Sequence, residues 1–453
     1  TDAYRFEGAV WFMRTFTAGD WTGEQTMLTL ERTRKTTVYL DGRPIGHQES
    51  LCTPHRYFLP PVHAGEHTLV IRVDNTDYPT RGGHLTSPDT QSNWNGITGE
   101  ISLTVAHTLL TDLTVRPDLR RGCLRVHGHI IGAPDGVAGI VLPGQMEHLL
   151  PYRRGVLDGE CPLKGNEAFW DEAHPEIHTI SIDLDGDVYE TTFGLRDVRT
   201  LGRRLLINGR ETFLRGKVDN LLYPKTGYTP TDVASWMTIL GIAKEYGINH
   251  YRYHTACPPD AAFTAADLLG VYMAPELPFW GTIAAPGEEG YNEAEQNYLI
   301  ALGDKILETF GNHPSFVMFS LGNELWGSPE RLGEILRHYK ALDSRHLYTQ
   351  GCNNFQRLPQ IAVACAVHGV DAGEYHGVDL AVSGKGLCAG TVGVGDGVAD
   401  LCVADALDGG GEIADFAGAK LSVIDQCVGG HIAGFHNGEF CACLLYTSDA
   451  ADE

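Results

Sequence analysis

From about residue 200 to residue 350, short apolar runs alternate with amphipathic stretches, and that alternation leaves few folds open. Phe213-Leu214-Arg215-Gly216 reads as a strand, and a helical period over 230–246 starts at Asp232 and stops at Gly247. Strand, helix, strand, helix then follow over 249–254, 259–269, 271–276 and 292–309. Ser315–Leu321 is a fourth strand, 329–342 a fourth helix, and His346–Gln350 a fifth strand. Connections this short predict a parallel sheet with right-handed crossovers, which at this length means a (β/α)8 barrel. Five of the eight units are visible before the pattern stops.

Upstream, no helical period competes with alternation at every second residue. Thr37-Val38-Tyr39-Leu40 and His67–Val73 are separated by turn chemistry such as Asp41-Gly42-Arg43-Pro44, predicting a jelly-roll β-sandwich over 1–106. Residues 107–199 repeat the style in runs such as His178–Ile182 and Val188–Phe193, which suits an immunoglobulin-like β-sandwich. The expected chain is thus multidomain, all-β followed by α/β. The barrel over 200–357 is expected to be incomplete, a (β/α)8 TIM barrel with five units.

Composition separates the remainder. The chain holds 34 Lys and Arg against 58 Asp and Glu, and half of the −24 imbalance falls in residues 358–453. After Pro359 there is no Pro, Arg or Trp, six of the 11 cysteines crowd in, and neither a strand nor a helix period persists. Cys443–Glu453 is similar to a translated sequencing-adapter end, so residues 358–453 are expected to stem from a shifted frame or a mis-joined gene. Thr1 is not a start methionine, and the native N-terminus is expected to lie upstream. The acidic balance argues against a nucleic-acid partner, and no apolar run reaches the ~18–20 residues that span a bilayer. No membrane partner is expected, and oligomeric state and compartment stay open. The odd, irregular cysteine set is no disulfide framework, and HExxH, phosphate-loop and GxSxG patterns are missing. No metal and no cofactor is expected.

In a barrel, chemistry sits at the C-terminal ends of strands. Those ends carry Asp219 and Asn220, then Arg252 and His254, then Glu276 and Trp280, then Asn323 and Glu324. The apolar strand 316–321 stops abruptly at Gly322-Asn323-Glu324, which makes Glu324 either a catalytic carboxyl or a solvated strand end. Arg252 and His254 share a strand face at i, i+2 spacing. Each also has a structural reading, Arg252 as an internal salt-bridge partner and His254 as a capped strand end.

Asn312-His313-Pro314-Ser315 followed by SLGNE (320–324) resembles the acid/base signature of family 2 glycoside hydrolases, the group of β-galactosidase-, β-glucuronidase- and β-mannosidase-like enzymes. LRGKVDN (214–220), Tyr223-Pro224, NHYRYHT (249–255), CPPDAAFTAADLLGVY (257–272) and PELPFWG (275–281) follow in the family's order. LERT (30–33), LDG (40–42), Gly83-His84 and DTQSNWNGITG (89–99) are similar to its jelly-roll sugar-binding domain, and the resemblance covers about 3–357.

The resemblance implies a retaining β-glycosidase acting by double displacement on an oligosaccharide or glycoside, with Glu324 as general acid/base. It implies that Asn323 bonds the sugar 2-hydroxyl, that Arg252 orients the nucleophile, and that His254, Asp219 and Trp280 line the sugar subsite. Asp267 and Cys257, though inside strong motifs, read as structural. Trp94 reads as a sugar platform or a core residue. The family's nucleophile is a Glu on strand seven, and none of Glu374, Glu412 or Glu439 has family-like flanks. The nucleophile is therefore expected to be absent, leaving a carbohydrate-binding chain with little turnover as the alternative.

Overall fold

Side chains in Gln25–Leu30 and Lys35–Leu40 alternate between half-buried and buried along both strands, the signature of a sheet with one face on a core. The computed structural model describes residues 6–87, 94–202, 204–223, 225–351, 379–383 and 387–393. A four-stranded sheet runs in the order Ala9–Ala18, Gly65–Asp74, Lys35–Leu40, Arg43–Gln48. A three-stranded sheet runs His55–Leu59, Gln25–Leu30, Ile101–Ala106. Leu28, Leu30, Val38, Tyr57, Ile71 and Val73 pack in one core drawn from both, each worth about 1.5–3 kcal/mol in removed apolar surface. Asp41 and Gly42 turn the hairpin with φ of 50° and 77°, as a tight two-residue loop requires.

The second unit hydrogen-bonds seven strands in one continuous order. The order is Asp187–Phe193, His178–Leu184, Asp135–Val141, His148–Arg153, Val156–Pro162, Cys123–Ile131, Leu109–Asp118. It folds over a single core that includes Val115, Leu124, Val126, Ile140, Ile180 and Ile182. Thr108 ties the two ends, donating to the Asp187 carboxylate from its backbone N–H (2.7 Å) and its hydroxyl (2.9 Å).

Five short parallel strands form the barrel sheet: Gly216–Asp219, His250–Tyr253, Tyr272–Ala274, Met318–Ser320 and Leu347–Thr349. The first three pair in sequence, bridges Met273↔Phe316 and Glu276↔Ser320 join the third to the fourth, and the fourth pairs with the fifth. Helices Val233–Glu245, Asp260–Leu269, Glu293–Phe310 and Pro329–Leu342 fill the crossovers. Asp232, Asn292 and Ser328 cap three of them through side-chain oxygens, and Gly270 closes the second in the left-handed conformation.

Three expectations change. The first barrel strand begins at Gly216, not Phe213, because the Arg215 N–H bonds the Asn249 side chain (2.7 Å) instead of joining the ladder. A three-stranded antiparallel lead-in (Val198–Leu201, Arg204–Ile207, Arg210–Glu211) precedes the barrel, where the sequence shows no strand–helix alternation of its own. Within the stretch read as having no period, Asp379–Ser383 pairs antiparallel with Leu387–Gly393.

The N-terminal β unit does not merely abut the barrel. Its Leu51, Cys52, Tyr78 and Leu85 belong to the same apolar cluster as Trp236, Tyr253, Phe263 and Phe319. At the other end, Asn312 exchanges bonds with the second unit, its Oδ1 accepting from Val115 N–H (2.8 Å) and its Nδ2 donating to Leu113 O (2.9 Å). Next to it His313 bridges Asp267 Oδ2 (2.6 Å) and Asp260 Oδ1 (3.1 Å), and Asp267 Oδ1 accepts the Ser315 N–H.

Burial opposes the imidazolium, but the Asp267 charge and bonds to both aspartates overcome it and push the His313 pKa up to about 10. A folded value above the unfolded ~6.5 stabilises the protein fully below pH ~6.5, and the contribution drains away as pH rises through about 10. Urea midpoints taken across that window are expected to fall with pH in the wild type and to fall less steeply in His313→Gln. Equal slopes would rule the clamp out.

Candidate active site

The site is built where an apolar strand runs out. Gly322 (φ 137°) brings the chain so close to its neighbour that a Cβ there would lie 2.2 Å from Phe279 O. Asn323–Gly327 then pairs in parallel with Trp280–Ile283, a two-stranded extension beyond the ends of the third and fourth barrel strands. No periodicity marks so short a pair, and it was not read from the sequence. It sets Trp280 opposite Asn323, with the indole 42 % exposed. Glu324 is buried and holds a φ of 50°, a left-handed conformation that costs a residue other than glycine about 1–2 kcal/mol.

Asn323 is fully buried and its amide is fixed in sense. Arg252 Nη2 donates to Oδ1 at 2.8 Å, and since a guanidinium only donates, the oxygen must face it. Nδ2 then points away and has no partner among the described residues. A buried amide N–H left unmatched is costly, which makes it a donor waiting for an acceptor.

Arg252 is held in turn by Glu276. Its Nε donates to Glu276 Oε1 at 2.7 Å, with both side chains all but excluded from solvent. The second oxygen, Oε2, accepts the Thr255 N–H at 2.8 Å. Arg252 is thus an internal salt-bridge partner and a contact of the Asn-Glu turn at once. Glu276 was noted only as a strand end. The signal for its role was parity: Arg252 registers with Ala274, two residues earlier on the same face.

His254 is buried with its ring 4.7 Å from that of His84, edge to face, so the first β unit reaches the strand ends. Asp219 is placed otherwise. It registers with Tyr253 on the helix-facing side and bonds Lys217 Nζ (3.1 Å) and the Leu221 N–H (2.8 Å). Hydrogen bonds therefore join Arg252 and Asn323 through a network with Glu276, and one ladder joins Trp280 to Asn323 and Glu324. Asp219 meets this group through its backbone carbonyl, which accepts the His254 N–H. Trp94 is a buried residue under the Arg34 guanidinium (4.2 Å), and Asp267 and Cys257 are buried too. Glu374, Glu412 and Glu439 lie outside the described residues. A groove of about 1720 Å³ opens at the opposite end of the barrel, beside Arg116, Arg196, Asn312 and Arg345, away from this group.

The sequence model described as "Glycosyl hydrolases family 2, TIM barrel domain" matches residues 198–369, so the family likeness runs past the break expected at 358. A β-galactosidase of Leuconostoc mesenteroides is 23 % identical over 321 residues, 63 % of this chain and 30 % of the relative. The large subunit of a Leuconostoc lactis β-galactosidase is 24 % identical over 370 residues, 74 % of this chain and 57 % of the relative. The chain thus spans about a third to somewhat over half of these relatives. Among solved structures, a β-galacturonidase of Eisenbergiella tayi bound to galacturonate superposes with a TM-score of 0.67 at 19 % identity, covering 77 % of this chain and 64 % of that one. A β-glucuronidase of Parabacteroides merdae gives 0.64 at 16 %, covering 77 % and 49 %; at such identities the likeness is one of fold. The match to family 2 of the glycoside hydrolases lies in the barrel, over residues 198–369.

Proposed function

We propose that this chain carries the acid/base half of a retaining β-glycosidase acting on an oligosaccharide or glycoside. The two β units preceding the barrel then correspond to a jelly-roll sandwich and an immunoglobulin-like sandwich. Glu324 protonates the glycosidic oxygen as the bond breaks, then takes a proton from the water that releases the sugar. Asn323 Nδ2 donates to the sugar 2-hydroxyl, and the contact tightens as positive charge builds at the anomeric carbon. Trp280 offers an apolar face to the ring, His254 lines the subsite, and Arg252 holds Asn323 in its working orientation. The observation that carries this reading is the buried Asn323 Nδ2 beside Glu324, unpartnered among the described residues.

Double displacement needs a second carboxylate about 5–5.5 Å from the first. Glu276, the buried carboxylate nearest in the network, is committed to Arg252 and Thr255. That commitment favours a second reading in which the chain binds glycosides and turns them over slowly or not at all.

Saturation-transfer NMR with methyl β-D-galactoside, methyl β-D-glucuronide and methyl β-D-mannoside tests the site. At least one is expected to bind, and Asn323→Ala is expected to weaken it about tenfold for one lost buried hydrogen bond. Binding by none would end the proposal. Hydrolysis of the matching nitrophenyl glycoside separates the readings: turnover with retention supports the enzyme, binding alone the second reading, and inversion refutes double displacement.

A further inference from the structure

We propose that the main-chain N–H of His84, in the N-terminal β unit, and the hydroxyl of Thr255 are the pair that positions Asn323. The inference rests on the glycoside-binding reading above and adds an element to it that lies outside the barrel.

Thr255 ends the second barrel strand with a φ of 44°. For a β-branched side chain this is an outlier that persists only where surrounding contacts impose it. Two contacts do so here. Its N–H donates to Glu276 Oε2 at 2.8 Å, and its Oγ1 accepts the His84 N–H at 3.0 Å across the domain seam. The imposed turn lies on a continuous path. His84 N–H holds Thr255, Thr255 N–H holds Glu276, Glu276 holds Arg252, and Arg252 fixes the Asn323 amide.

The loop bearing His84 is shaped for this approach. A Cβ at Gly82 would sit 1.8 Å from Trp280 O, and one at Gly83 would sit 2.4 Å from Pro278 O. Only glycine lets the loop lie so close under the residues that carry Trp280. From its own side the loop is braced by Arg34, which donates to Leu85 O and Trp94 O, each at 2.8 Å. Thr255 acts through Glu276 and Arg252, so it is a positioning residue.

The test compares Thr255→Val, which keeps the shape and removes the acceptor, with Thr255→Ser, which keeps the hydroxyl. Tyr298→Phe is the control: it deletes another bond across the same seam, from the Tyr298 hydroxyl to Glu49 O (2.9 Å). Each variant is titrated with methyl β-D-galactoside, methyl β-D-glucuronide and methyl β-D-mannoside, alongside its thermal midpoint. Thr255→Val is expected to raise the dissociation constant about tenfold and Thr255→Ser less than about twofold, given the usual worth of one such bond. Tyr298→Phe is expected to lower the midpoint without changing affinity.

Should the valine variant not fold, Thr255→Ala, less hindered at positive φ, replaces it with the same expectation. If Asn323→Ala weakens binding and neither Thr255 variant lacking the hydroxyl does, the His84 contact is packing only and the inference is overturned. If Asn323→Ala has no effect either, the glycoside-binding reading falls and takes the inference with it.

Discussion

Arg252→Met is expected to lower the unfolding free energy by about 3–5 kcal/mol, the usual cost of breaking a buried ion pair by removing one partner. The Glu276 carboxylate would remain in a site it cannot leave, its side chain fully buried and its second oxygen tied to the Thr255 N–H. Charge left unpaired at such depth must be desolvated or neutralised, and either route disfavours the folded state. The double variant Arg252→Met/Glu276→Met is expected to regain most of that loss, because both charges leave together. It is not expected to regain glycoside binding, since the Asn323 amide loses the donor that orients it. Urea unfolding of the three proteins checks the first part and sugar titration the second. A single variant as stable as the wild type would show that the pair is not under strain of burial. A double variant that still bound sugar would show that Asn323 needs no orienting partner.

Glu324→Gln should separate turnover from binding more sharply than any other single change. The amide keeps the size and hydrogen-bonding reach of the carboxyl but can neither deliver a proton to the leaving oxygen nor later remove one from water. General acid–base groups contribute roughly 10²–10⁴-fold, so in any preparation that hydrolyses a nitrophenyl β-glycoside, kcat is expected to drop by that factor. Affinity should stay within about twofold. The loss in kcat/KM should shrink for dinitrophenyl glycosides, whose leaving group departs without protonation, while the loss in the water step persists. A uniform loss in kcat/KM across leaving groups would remove Glu324 from the acid role, and an unchanged rate would remove it from catalysis.

Much of this frame was legible in the residues because it is written in local chemistry. Asp232, Asn292, Ser328 and Gly270 punctuate helices, and four helices with five strands fall close to their expected places. The misplaced start at Phe213 shows the limit of that reading. Apolar residues there pack in the barrel-floor cluster through Leu214 without belonging to the ladder, and hydrophobicity alone does not distinguish the two. At the site, the strand-end rule brought out Arg252, Asn323, Glu324 and Trp280. It could not say that Asp219 turns toward Lys217, because one residue of register decides which face a side chain takes. Nor could it reveal the contact between His84 and Thr255, which lie 171 positions apart; no spacing rule connects them.

The apolar cluster that runs from Leu51 and Leu85 into Trp236, Phe263 and Phe319 bears on how the chain can be divided. Residue 106 looks like a seam on the sequence and is a poor place to cut. Severing the chain there would expose one half of a continuous core on each piece. The backbone amide of Tyr253 should therefore lose hydrogen-exchange protection when residues 6–106 are removed, although it sits in a barrel strand. What counts as a folding unit here is the N-terminal β unit and the barrel sheet jointly, and the loop bearing Gly82 and Gly83 is internal to that unit.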